Sequence, residues 1–275
     1  MRVLREFESH RFRQIYRVSY MNELYPHLTG LITVTELTNN IQEATYMEQQ
    51  YIPAAQIGAV ATAQNKVLRN TYMMLALTMV PTVIGALLGM STNFSFMAQH
   101  PVVFSLMMFG AMIGLMFGVT AARNSVWGVA LLLAFTFVAG FFLGPILQVA
   151  LHLKNGAQLV GMAAGGTGII FFSLATLATV TKRDFSFMGK FLFIGLILLI
   201  VASLANLFFQ VPALALTISA IAVLIFSAYI LFDISQIVKG GQTNYVMATM
   251  SLYLDIYNIF INLLSLLMAF SGERD

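Results

Sequence analysis

Polar and apolar positions divide this chain sharply. Residues 1–46 are polar and mixed, with Arg2, Arg5, Arg11, Arg13 and Arg17 interleaved with glutamates. From about residue 70 onward, apolar stretches follow one another with only short polar breaks. A helix needs about 20 apolar residues to cross the hydrocarbon core of a bilayer. Seven stretches meet that length, at about 72–91, 101–121, 126–150, 158–181, 190–210, 212–237 and 246–270. The pattern predicts an all-α membrane protein, a bundle of seven transmembrane helices. Two regions follow: a polar N-terminal segment over residues 1–65 and a membrane domain over residues 66–275.

The breaks carry turn chemistry. His100-Pro101, Gln210-Val211-Pro212 and Gly240-Gly241 punctuate the spans. Pro101 and Pro212 sit where a helix can begin at no cost in hydrogen bonds. Pro81 and Pro145 fall inside spans and are expected to kink or loosen them. Gly161, Gly165 and Gly168, at spacings of four and three, predict close helix packing. Asn206 is expected to bond between helices.

Composition agrees with lipid as the main solvent. Of the 275 residues, 59% are hydrophobic and 9% charged, where a soluble domain carries about a quarter charged. Cysteine is absent, which excludes disulfides, thiolate metal sites and a cysteine nucleophile. The net charge of +3 comes from scattered loop residues and does not form a nucleic-acid patch. No apolar core with a cleavage site follows the N-terminal arginines, so the segment does not read as a secretory signal. Two readings of it stay open: a soluble tail, or residues upstream of a later translation start such as Met47.

Lysine and arginine set the expected orientation. With the N-terminus in the cytoplasm, that side holds Lys66, Arg69, Arg123, Lys182, Arg183, Lys190 and Lys239, and the other side only Lys154 and Arg274. The C-terminus then lies outside, unless the last span folds back as a re-entrant hairpin.

Between Gln49 and Gly272 there are three acidic residues: Asp184, Asp233 and Asp255. Asp184 stands beside Lys182 and Arg183 in a loop and is expected to be solvated. Asp233 and Asp255 lie within spans, where a carboxylate costs at least ~2.5–3.5 kcal/mol and marks an ion or proton pathway by default. If the turn between the last two spans centres near Gln242, Asp233 comes level with Ser251 and Asp255 with Tyr229. The axial offset of the carboxylates is then about four residues, or ~6 Å. Two such groups in low dielectric cannot both ionise easily, so they would share a proton and titrate as a unit. Ser251, Asp255, Asn258 and Asn262 share one face of the last helix, and Tyr229 and Gln236 lie a turn either side of Asp233. This polar seam supports either a proton or cation site, or a structural network that locks helices together.

Calcium prefers six to eight oxygen ligands, commonly several carboxylates. Two aspartates with amide, hydroxyl and backbone oxygens suit a weak, transient site, which conduction requires; magnesium and protons fit the same residues. No resident cofactor is expected. A transition-metal site is disfavoured because His10, His27, His100 and His152 all lie outside the spans. An enzyme is disfavoured too, for want of a nucleophile–base pair, a phosphate loop or a metal cluster. The glycine expected beside an intramembrane aspartyl protease's acid is missing from FDIS and YLDIY.

The run AYILFDISQIVKGGQTNYVMATMSLYLDIYNIFINLLSLL, with KVLRNTYMMLALTM at 66–79, FLGPIL at 142–147 and KRDFSFMGKFL at 182–192, resembles the Bax inhibitor-1 family, and within it the bacterial YccA branch. The likeness covers about residue 64 to the C-terminus. It implies a seven-helix fold with the last helix central, in the bacterial inner membrane. Channel-like bacterial members imply a pH-sensitive calcium leak in which Asp233 and Asp255 match the proton-sensing pair. Those members latch an arginine onto the aspartates. Here Arg123 is the one candidate latch, in a register shifted by about a residue. The YccA branch implies instead that the chain restrains the membrane protease FtsH, engaging it through a flexible N-terminal segment.

Overall fold

The computed structural model describes residue 42 and residues 54–95, 99–181 and 183–272. The chain divides into two units, Met1–Val60 and Ala61–Asp275. Apart from residue 42, the N-terminal segment up to residue 53, with Met47, His10 and His27, lies outside the described residues.

The described residues form helices and turns, with no strand among them. The helices are α1 (Ala54–Ser91), α2 (Pro101–Ala122), α3 (Val126–Phe142), α4 (Gly144–Leu151), α5 (Gly156–Thr181), α6 (Gly189–Phe209), α7 (Pro212–Lys239) and α8 (Tyr245–Gly272), with a single 3₁₀ turn at Ser186–Met188. Seven segments are long and apolar enough to cross a membrane, α3 and α4 together making one of them. Their outer faces carry large exposed apolar side chains such as Phe117, Ile169, Phe172, Phe191 and Leu198. In water that surface would drive aggregation; in a bilayer it is the surface that acyl chains wet. The chain is a seven-helix membrane protein.

Pro145 acts as expected. The third span breaks at Leu143 and restarts at Gly144, with the proline in the first turn of α4. Pro81 does not break α1, which runs through it without interruption. Transmembrane helices tolerate such a proline because neighbours satisfy the freed backbone groups. α8 is one continuous helix of 28 residues, about 42 Å long at 1.5 Å per residue. It crosses the core without the internal turn that a re-entrant hairpin needs.

α8 is the centre of the bundle. It packs against α7, α5, α2, α3 and α4, and it reaches α1 through two polar contacts. Thr249 Oγ1 lies 3.4 Å from the Thr71 carbonyl, and the Tyr253 and Thr82 hydroxyls pair at 2.9 Å. Leu252, Tyr253, Ile259 and Leu264 are buried within it.

The close packing falls on different glycines from those expected. A Cβ at Gly161, Gly165 or Gly168 would meet nothing within 4 Å, so these α5 positions pack against no helix of the bundle. The tight seam joins α1 to α3 and α4. There a Cβ on Gly85 would sit 2.1 Å from the Phe137 carbonyl oxygen, and one on Gly140 2.1 Å from that of Thr82. Spacing alone marks small residues; which face meets a partner depends on the neighbouring helices. The seam lets α1 end against α4, where Gln148 Nε2 donates to the carbonyls of Met90 and Thr92, both at 2.8 Å. The Met90 carbonyl, in the last turn of α1, has no partner inside its own helix.

Asn206 is also local rather than interhelical. Its side-chain oxygen accepts from the Val211 amide at 3.0 Å and closes the end of α6. There Gln210 takes a left-handed conformation with φ of 52°.

The glycine seam gives a direct test. Gly85→Ala forces backbone apart and is expected to destabilise by about 1–3 kcal/mol. Gly165→Ala meets no obstacle and gains helix propensity of up to about 1 kcal/mol. Thermal unfolding in detergent should show a lower midpoint for the first variant alone; equal shifts would contradict the packing described.

Candidate functional site

The α7–α8 hairpin sets the position of the acidic residues. α7 ends at Gly240, whose φ of 80° turns the chain, and the Gln242 amide reaches back to the Gln236 carbonyl at 3.0 Å. Asn244 then starts α8: its side-chain oxygen accepts from the amides of Val246 and Met247 at 3.0 and 3.1 Å, the action of an N-cap residue. Its amide nitrogen donates to the Arg123 carbonyl at 3.0 Å and to Asn124 Oδ1 at 2.8 Å. One asparagine thus fixes the helix start and ties the hairpin to the α2–α3 turn.

Asp233 and Ser251 share a side-chain hydrogen bond across the hairpin. Tyr229 lies within electrostatic reach of both carboxyls, and Asp233 acts electrostatically on Asp255. Asp255 is 4% exposed, and its Oδ2 has no hydrogen-bond partner among the described residues. Asp233 is half-buried. The assembled group is Tyr229, Asp233, Ser251 and Asp255.

The rest of the expected seam separates from it. Asn258 and Asn262 lie on the same face of α8, half-buried. They donate to their own helix, at the Leu254 and Asn258 carbonyls, each at 2.8 Å. Short amide side chains satisfy themselves locally when no partner stands opposite. Gln236 turns to the α5–α6 connection, where its Nε2 meets Ser186 Oγ at 3.1 Å. Ser235 supports the same connection, accepting from the Phe185 amide at 3.2 Å. Asp184 is exposed there; hydrogen bonds from the Ser186 side chain and backbone hold its carboxyl below the usual range. Arg123 is exposed at the end of α2. His100 and His152 lie at helix ends, outside the spans.

A second polar group escaped the sequence reading. The Tyr253 hydroxyl pairs with Thr82 at 2.9 Å and lies 3.3 Å from the Thr136 carbonyl. Tyr257 donates to the Ala139 carbonyl at 2.9 Å, and the two tyrosine rings stack at 6.0 Å. This group joins α8 to α1 and α3. The available signal was two tyrosines four residues apart in LYLDIYNIF, since a buried tyrosine hydroxyl needs a partner.

Among the described residues, no group of three or more histidine or acidic side chains stands close enough to hold a metal ion tightly. Two neighbouring carboxyls with a serine and a tyrosine can hold and release a proton, or coordinate a hard cation weakly.

The seven-helix membrane bundle is of a class that the comparisons specify. Residues 64–272 match the family model described as inhibitor of apoptosis-promoting Bax1. The chain belongs to this family, the Bax inhibitor-1 family. It is 40% identical over 203 residues to the Escherichia coli protein named modulator of FtsH protease YccA, covering 74% of this chain and 90% of that protein. A Vibrio cholerae protein described as an uncharacterised membrane protein is 42% identical, over 74% of this chain and 89% of its own length. An uncharacterised Neisseria meningitidis protein is 38% identical, over 78% of this chain and 96% of its own.

The unpartnered carboxyl oxygen predicts a stability trade-off. A buried polar atom without a partner costs about 1–3 kcal/mol. Asp255→Leu should therefore keep the fold and leave the unfolding midpoint in detergent unchanged or raised. A large drop would make Asp255 a structural keystone instead.

Proposed function

We propose that this chain is a multi-pass protein of the bacterial inner membrane, N-terminus in the cytoplasm, that mediates a pH-sensitive cation leak through Asp233 and Asp255. One observation carries the reading: Asp255 Oδ2 is buried on the central helix with no hydrogen-bond partner among the described residues, and Asp233 acts on that carboxyl electrostatically. A network that only locks helices together leaves no such atom, because asparagine or serine bonds there at lower desolvation cost. A proton shared between the two acids satisfies the oxygen. When the proton leaves, the pair carries charge that attracts a cation. Calcium is the expected cargo, bound weakly enough to depart. Arg123, at the end of α2, is the candidate cation that closes over the pair in another state.

Purified protein in calcium-loaded liposomes should release calcium at a rate that changes with pH near neutrality. Asp233→Asn and Asp255→Asn should each flatten that dependence. An unchanged flux and pH response in both variants would remove the proton latch.

A second reading rests on the relative named modulator of FtsH protease, which this chain matches along 90% of that protein's length. On this reading the chain binds FtsH and restrains its proteolysis of membrane proteins, a regulatory role with no catalytic step of its own. The two roles are compatible, and the aspartates separate them. The full-length chain should co-purify with FtsH and slow degradation of a membrane substrate, and Asp233→Asn and Asp255→Asn should leave that binding intact. No co-purification from membranes would set the modulator role aside.

A further inference from the structure

α8 is enclosed by the other helices. No residue of 245–269 is exposed, so this helix offers lipid no open face. Its two sides differ. Tyr253 and Tyr257 hold one side to α1 and α3 through their hydroxyls. Ser251, Asp255, Asn258, Asn262 and Ser265 occupy the other, within about 80° of one another at 100° per residue. Asp255 apart, these positions are half-buried. From Asp255 to Ser265 the row runs about 15 Å at 1.5 Å per residue, half the ~30 Å hydrocarbon core. It leads away from the α7–α8 turn.

Asn258 stands at the midpoint of α8, and so near the middle of the membrane. Its Nδ2 donates to the Leu254 carbonyl, and that of Asn262 to the Asn258 carbonyl. No described residue donates to either side-chain oxygen. Among the buried side-chain nitrogen and oxygen atoms of the described residues, Asp255 Oδ2 alone lacks a partner. The two amide oxygens are therefore not buried. They open onto a space that water reaches, on a helix enclosed by protein. An amide oxygen in dry hydrocarbon carries a desolvation penalty, and water in a protein-lined cavity removes it.

We propose that Asn258 and Asn262 line a water-filled passage that runs along α8 from Asp255 toward the end of the bundle away from the α7–α8 turn. Amide oxygens are hard, neutral ligands for a cation. Set about 4.5 Å and 10.5 Å beyond Asp255 along the axis, they take the ion from the carboxyl in short steps. Being uncharged, they hold it weakly enough to release it. Ser265 supplies the last oxygen in the row. The passage stands on its own; the ion's use of it rests on the cation-leak reading. Amides of two copies bonded to one another would instead shut water out.

The chain has no cysteine, so single introduced cysteines report on water directly. A charged methanethiosulfonate reagent attacks the thiolate, which forms in water and not in hydrocarbon. In proteoliposomes of the full-length protein, Asn258→Cys, Asn262→Cys and Ser265→Cys should be modified. Ile259→Cys, at a buried position, and Phe193→Cys, on the outer surface of α6, should not. Calcium release should fall about tenfold in Asn258→Leu, the factor for about 1.4 kcal/mol, and by less in Asn258→Ser, which keeps an oxygen. The pH at which release changes should hold in both, since the aspartates are untouched. No modification of Asn258→Cys and Asn262→Cys, with release intact in the unaltered protein, would overturn the passage and spare the leak. Modification with no calcium release by the unaltered protein would uphold the passage and overturn the leak. Release unchanged in Asn258→Leu would overturn the cation's use of the passage. Disulfide-linked dimers of Asn258→Cys in place of modification would overturn the passage in favour of a second copy.

Discussion

Hydrocarbon offers no hydrogen bonds, so every polar group inside a bilayer must find its partner in the protein. Much of this bundle's detail follows from that requirement. Gln148 takes up the last carbonyls of α1, and Asn206 closes α6. Thr82, Tyr253 and Tyr257 bond across α1, α3 and α8. Most threonines in the spans return their hydroxyls to a carbonyl one turn back, as Thr71, Thr167 and Thr217 do. Asp255 Oδ2 departs from this order. In a molecule that settles its other buried polar groups so consistently, an unmatched carboxyl oxygen on the central helix is where chemistry is to be sought.

The hairpin places that oxygen. Gly240 turns the chain, Asn244 starts the next helix, and the intervening residues fix the register. Asp233 consequently stands opposite Ser251, and Asp255 within reach of Tyr229. Moving the turn by one residue would rotate Asp255 by about 100° around α8 and take it out of the group. The hydrogen bonds from Asn244 to the α2–α3 turn couple this register to the stretch that carries Arg123.

The spans and the helix break at Pro145 were legible in the sequence because each depends on local facts: apolar length and proline chemistry. The partners were less so. Gly161, Gly165 and Gly168 have the spacing of a packing seam yet face away from the bundle, while Gly85 and Gly140 make the seam. Nothing in the spacing says which helix stands opposite. For the same reason Asn258 and Asn262 looked continuous with Asp255, but they turn to their own backbone. Gln236 belongs to the α5–α6 connection because that connection folds back over the end of α7, a tertiary fact with no local signature. Tyr253 and Tyr257 were visible as residues, but their partners on α1 and α3 were not.

The central claim is that Asp233 and Asp255 share a proton inside the membrane. Infrared difference spectroscopy of the carboxyl stretch, on protein in lipid across a pH titration, reads that proton directly. The account predicts a protonated carboxyl band in the unaltered protein that disappears as pH rises and whose titration is altered by both Asp233→Asn and Asp255→Asn. A titration unchanged in either variant, or no protonated carboxyl at any pH at which the protein stays folded, would contradict it.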